Sequence, residues 1–288
     1  MKLTQIYFLF GIVFILNTIS VDGQAVESSA MNNLLSNMDR MFNQADYVPT
    51  PEDEYYIGRA VAASILSRYR LYVTNPTLTQ YLNLICNALV INISMPMAYN
   101  GFSVSILDSQ EFNAFATPGG HIFLTKGLVE ATPSEDALAA IIAHELAHIM
   151  LKHGMKMIEE MRIFTELDSA AQRAAAMSGN TDQQIIAFRS VVNELAENMI
   201  INGYSQEQEF EADSTALELL AAAGYSPNGL LEMLRVLQGV QGNQRGGFNS
   251  THPAPVDRIA NVERQIINYR VPDNSSFRRD RFNRNMER

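Results

Sequence analysis

The chain has 288 residues, 47% of them hydrophobic, and a formal net charge of −10. That length can bury a core without covalent staples, and the negative balance excludes a general nucleic-acid binder, which needs a basic face for phosphates. Cys86 is the single cysteine, so an internal disulfide is excluded.

In chain order, Lys2 precedes an apolar run over 6–16, and small residues follow at Ser20, Gly23 and Ala25. This is the layout of a secretory signal peptide, assigned to 1–25. The run is shorter than the roughly 20 apolar residues of a spanning helix, and an uncleaved signal anchor is the alternative. A secreted or periplasmic product is expected, with this segment as a route to membrane association. Residues 26–50 read as a polar leader closed by Pro49 and Pro51.

Helical spacing of Ile57, Val61, Ile65 and Leu66 predicts a helix over 52–72, and Asn75-Pro76 starts a second, to about residue 90. Cys86 lies in the apolar pattern of that second helix, so a buried, inert thiol is expected. The period then changes to two over 102–107, which predicts a strand. Short strands are expected at 111–116 and 121–125, joined by a turn at Thr117-Pro118-Gly119-Gly120.

Thr132-Pro133-Ser134-Glu135 reads as a helix start, with Thr132 as cap and Glu135 completing a capping box. That helix should run from Pro133 through Lys152 or beyond. Further helices are expected between 155 and 202, from 205 to a stop at Gly224, from 227 to 238, and over 255–269. Residues 239–250, rich in Gly, Gln and Asn, read as a flexible loop, and 273–288 as a disordered basic tail. The fold class is α+β, mostly helical, with one small sheet.

The chemistry centres on His144-Glu145-Leu146-Ala147-His148. Positions four apart share a helix face, so the two imidazoles can converge on one ion. Neutral imidazole suits zinc. Glu145, one step round the helix, falls beside a metal-bound water, where it can act as general base. The flanking residues are small or apolar, which predicts a buried helix whose polar groups need partners.

A third ligand is expected downstream, where Glu207, Glu209, Glu211 and Asp213 crowd a helix start. Glu209 and Asp213 are four apart and share a face, so Glu209 can bind metal while Asp213 accepts a hydrogen bond from a ligating histidine. Glu207 fits a simple preference for acids at a helix N-terminus. Glu211 fits either that preference or a pairing with a cation. His121 and His153 read as structural, with His153 also close enough to the ligand pair to support it.

These residues resemble the M48 family of zinc metallopeptidases, and within it the periplasmic branch typified by BepA and LoiP. The resemblance is carried by the HELAH run continuing to His153, by Glu209-Phe210-Glu211-Ala212-Asp213, by 113–120, and by Thr251-His252-Pro253-Ala254-Pro255 followed by Arg258. It implies a gluzincin-type peptidase domain over 51–272, with the sheet beside the HExxH helix. It implies one zinc held by His144, His148 and Glu209, and peptide-bond hydrolysis in protein substrates. It also implies a substrate-pairing edge strand at Asn113, Ala114, Phe115 and Ala116, and His252 and Arg258 near the metal. His252 either assists catalysis or fills the fourth zinc position. Neither the multi-span membrane region of other branches nor a tetratricopeptide docking array is expected.

Overall fold

The computed structural model describes residues 48–91, 98–165, 181–240, 251–252, 255–271 and 274–286. The expected signal segment, nearly all of the leader and most of the 239–250 loop lie outside the described residues. Two helices come first, α1 (Pro51–Arg68) and α2 (Pro76–Val90). Thr50 and Asp53 close a capping box on α1, and Asn75 caps α2 through Leu78 N.

Three strands follow, β1 (Ser103–Leu107), β2 (Ala114–Ala116) and β3 (His121–Thr125), in the order β1-β3-β2. β3 pairs parallel with β1 and antiparallel with β2. Residues 70–72 cover the far side of β1, with Tyr72 N donating to Ile106 O at 2.8 Å and Asp108 N to Arg70 O at 2.8 Å. β2 is therefore the sheet edge left without a strand neighbour among the described residues. The expected strand from 111 shortens to three residues because Thr125 diverts its start. The Thr125 hydroxyl donates to Glu111 O and Asn113 O, and Asn113 N donates back to it at 2.9 Å.

The remaining helices are α3 (Lys126–Ala131), α4 (Glu135–Met150), α5 (His153–Thr165), α6 (Thr181–Ile201), α7 (Gln206–Ala222), α8 (Asn228–Val240), α9 (Pro255–Ile266) and α10 (Ser275–Asn285). α4 runs through the middle of the molecule and is buried from Ala137 to His148. Its alanines let α7 approach closely through Ala212 and Ala216, which are also fully buried. One apolar cluster lies around α2, α4, α7 and α8, and a second joins α1 to α5 and α6 across the sheet.

Two local expectations are corrected. The cap of α4 is Ser134, whose hydroxyl accepts from Ala137 N at 3.0 Å. Thr132 precedes a proline, is held extended, and donates instead to Val129 O at the end of α3. The tail expected to be disordered forms α10. Phe282 is buried against the main core, Arg278 donates to Asp136 at 3.0 Å, and Arg281 pairs with Glu135 at the start of α4. The basic composition that suggested disorder is thus matched by acids in the first turn of α4.

Candidate metal centre

On α4, His144 and His148 lie one turn apart with their Nε2 atoms 3.0 Å from each other. α7 supplies Glu209, whose Oε2 is 3.4 Å from His144 Nε2 and whose Oε1 is 3.3 Å from His148 Nε2. His252 completes the group: its Nδ1 lies 2.9 Å from Glu209 Oε1 and 3.3 Å from His144 Nε2. One ligand atom from each of these four residues falls within 4.8 Å of the others, and all four are buried. Ligand atoms about 2.1 Å from a tetrahedral ion would stand about 3.4 Å apart. The nitrogen and carboxylate separations here match that spacing. A shared proton could satisfy one of these contacts but not the whole set, so the donor set fits a divalent cation.

Asp213, one turn beyond Glu209 on α7, reaches the other side of His144, with Oδ1 3.1 Å from Nδ1. Arg258 on α9 lies behind both acids. Its Nε and Nη2 donate to Asp213 at 2.8 and 2.7 Å, and its Nη1 pairs with Glu209 at 2.5 Å. It is 1% exposed. A guanidinium so committed holds the two carboxylates in place. Burial alone would raise the pKa of Glu209, but Arg258, His252 and His144 outweigh it and hold the carboxylate well below its usual range. Asp213 is lowered as well: burial opposes ionisation there, and Arg258 and His144 overcome it.

Glu145 differs. Burial raises its pKa, with partial opposition from His252 and His144. Neither of its oxygens has a hydrogen-bond partner among the described residues. The nearest basic group is His252 Nε2, 3.6 Å from Oε1. A buried carboxylate with free lone pairs beside a metal-ligand set is a group placed to take a proton.

The edge strand lies against this centre. Asn113, Ala114, Phe115 and Ala116 are all buried. Thr117 N donates to His121 O and Thr125 N to Asn113 O, so the odd-numbered residues bond β3 and the backbones of Ala114 and Ala116 face the outer side. The Asn113 side chain accepts from Ala114 N at 2.9 Å and meets the Thr251 hydroxyl at 3.1 Å, tying the strand to the residue before His252.

Three residues that sequence reasoning left without a definite role join the site. Tyr204 stacks on His148 with ring centroids 3.9 Å apart and planes 15° apart. Its backbone N donates to Thr251 O at 3.1 Å. That approach requires Gly203, which has φ +65° and where a Cβ would fall 1.8 Å from Thr251 O. His153 Nδ1 lies 2.8 Å from His148 Nδ1, and Glu211 Oε2 lies 3.1 Å from His153 Nε2. Spacing showed only that His153 was near the ligand pair. The turn that brings it back runs through Lys152, at φ +57°, which no apolar pattern announces.

A model of peptidase family M48 matches residues 76–266. Mitochondrial metalloendopeptidase OMA1 of Schizosaccharomyces pombe is 29% identical over 167 residues, covering 57% of this chain and 46% of that protein. The beta-barrel assembly-enhancing protease of Escherichia coli (strain K12) is 25% identical over 213 residues, 73% of this chain and 42% of its own length. Metalloprotease LoiP of the same organism is 27% identical over 197 residues, 68% and 73% of the two chains. The chain therefore spans less than half the length of the first two of these relatives.

Proposed function

The chain belongs to peptidase family M48, and we propose that it is a zinc-dependent endopeptidase acting on unfolded or misassembled envelope proteins. The observation that carries this reading is the convergence of His144, His148 and Glu209, with the unpartnered carboxylate of Glu145 beside them. These three residues would hold the zinc. When bound, zinc acidifies a water and polarises a carbonyl.

Glu145 accepts the proton of the attacking water and returns it to the leaving amine. Asp213 accepts from His144 Nδ1–H, and Arg258 fixes Asp213 and Glu209. An extended substrate segment pairs with the outward carbonyl of Ala114 and the outward backbone groups of Ala116, which brings it alongside the metal ligands. The apolar run over 6–16 supports export to a secreted or periplasmic location, and the envelope substrate class rests on the resemblance to the periplasmic branch.

Purified protein should carry one zinc per chain and cleave unfolded casein. Glu145→Gln should keep the zinc and lose roughly 100- to 10,000-fold in kcat, the usual share of a general base. Absence of stoichiometric metal, together with no cleavage even when His252 is replaced, would sink the proposal.

His252 favours a second, compatible reading, in which it fills the fourth ligand position and keeps the resting site closed. Its Nδ1 contacts with Glu209 and His144 support this. On that reading His252→Ala raises basal cleavage; if His252 instead assists the reaction, the same variant lowers it.

A further inference from the structure

The two metal-facing histidines of α4 are supported differently. His144 has a carboxylate, Asp213, directly on Nδ1. His148 has none; its Nδ1 faces a second histidine, His153, and only beyond that ring does a carboxylate appear, Glu211. A carboxylate only accepts, so the nitrogen of His153 that faces Glu211 carries a hydrogen. His153 then offers its other ring nitrogen, Nδ1, to His148 Nδ1 at 2.8 Å. With an ion held at His148 Nε2, the atom 3.0 Å from His144 Nε2 and 3.3 Å from Glu209, the hydrogen of His148 lies on Nδ1 and points at His153.

We propose that His153 and Glu211 are positioning residues for the metal site, a two-link relay that fixes His148 in the Nδ1–H tautomer and presents its Nε2 lone pair to the ion. The inference rests on the reading of His144, His148 and Glu209 as metal ligands. It gives the second histidine of the helix the support that Asp213 gives the first.

The competing arrangement is a cationic His153 donating to both neighbours, which would force the hydrogen of His148 onto Nε2 and point it at the ion. That hydrogen would stand among the ligand atoms, where His148 Nε2 is 3.0 Å from His144 Nε2. The geometry is held locally. Lys152 takes the left-handed conformation that folds His153 back onto α4, and its ammonium pairs with Glu54 of α1 at 2.6 Å. Tyr204 stacked on the His148 ring limits its rotation.

Two measurements test the relay. The first is a long-range nitrogen–proton correlation spectrum of zinc-loaded, ¹⁵N-histidine-labelled wild-type protein. His148 should bind through Nε2 with Nδ1 protonated, and His153 should show a protonated Nε2 and an unprotonated Nδ1; a His153 protonated on both nitrogens, or His148 bound through Nδ1, would overturn the proposal. The second is zinc affinity by competition with a chromophoric chelator. His153→Leu should weaken binding about 10- to 100-fold, the usual effect of removing a ligand's hydrogen-bond partner. His153→Asn, whose amide oxygen can accept from His148 Nδ1–H, should stay within a few-fold of wild type. Equal affinity in the Leu variant, or an equal loss in both variants, would overturn it. Failure of the wild-type protein to bind zinc at all would instead overturn the metal-site reading and the relay with it, an outcome distinct from unchanged affinity in the Leu variant.

Discussion

Arg258 grips both carboxylate oxygens of Asp213, through Nε at 2.8 Å and Nη2 at 2.7 Å. The planar fork matches the carboxylate, and the third nitrogen reaches Glu209. One cation thus balances two buried acids, one facing the metal position and one facing the back of His144. Arg258→Met should leave both carboxylates uncompensated and cost about 3–5 kcal/mol in the metal-free protein. Arg258→Lys should recover only part of this, because an ammonium cannot reproduce the fork. Urea unfolding with and without zinc checks it. Added zinc should narrow the difference between the Met variant and wild type, since the ion supplies positive charge to Glu209.

The C-terminal helix α10 should act as a clamp on the start of α4. Phe282 is 2% exposed and packs into the main cluster. Arg281 and the Tyr81 hydroxyl, 2.6 Å away, together satisfy the buried carboxylate of Glu135. Phe282→Ala should cost about 3–5 kcal/mol. A chain ending after Asn274 should lose more than that, because it also strands Glu135 and Asp136. Denaturant unfolding of the two variants, read against wild type, checks the order.

Cys86 should be inert in the native state. It is fully buried on α2, and burial pushes its thiol up to about 12. At pH 8.5 a thiol reagent should label it only after denaturation. The linkage has a definite sign: the unfolded thiol ionises near 9 and the folded one near 12, so over that range the unfolded chain binds fewer protons. The contribution of Cys86 to stability is therefore full below pH 9 and falls as pH rises toward 12. Replacing Cys86 by Ala should flatten that part of a stability–pH profile.

What the sequence revealed followed the physics of periodicity and composition. The face shared by His144 and His148, the face shared by Glu209 and Asp213, and the apolar flanks of α4 are consequences of 3.6 residues per turn, and the structure brings those four side chains together. The alternation over 102–107 gave β1 to within one residue. What spacing missed depends on contacts between distant segments. Thr132 lost its capping role to Ser134 because the following proline keeps it extended. The basic composition of α10 looked solvated until Glu135 and Asp136, more than 130 residues earlier, proved to be its partners. Glu211 resembled an ordinary N-terminal acid because its partner is reached only through the left-handed Lys152.

The placement of α4 also bears on how the chain stays folded. With a single cysteine, it has no cross-link of its own making. The four converging side chains come from three separate stretches, and an ion among them would tie Glu209 to a residue 43 positions later and His144 to one 108 positions later. Such a tie restricts the unfolded chain much as a disulfide would, with an effect that grows slowly with the length of loop closed. The same four side chains would then serve as a removable fastener for the fold. Metal supply would set how readily α9 and the segment carrying His252 separate from the body of the protein.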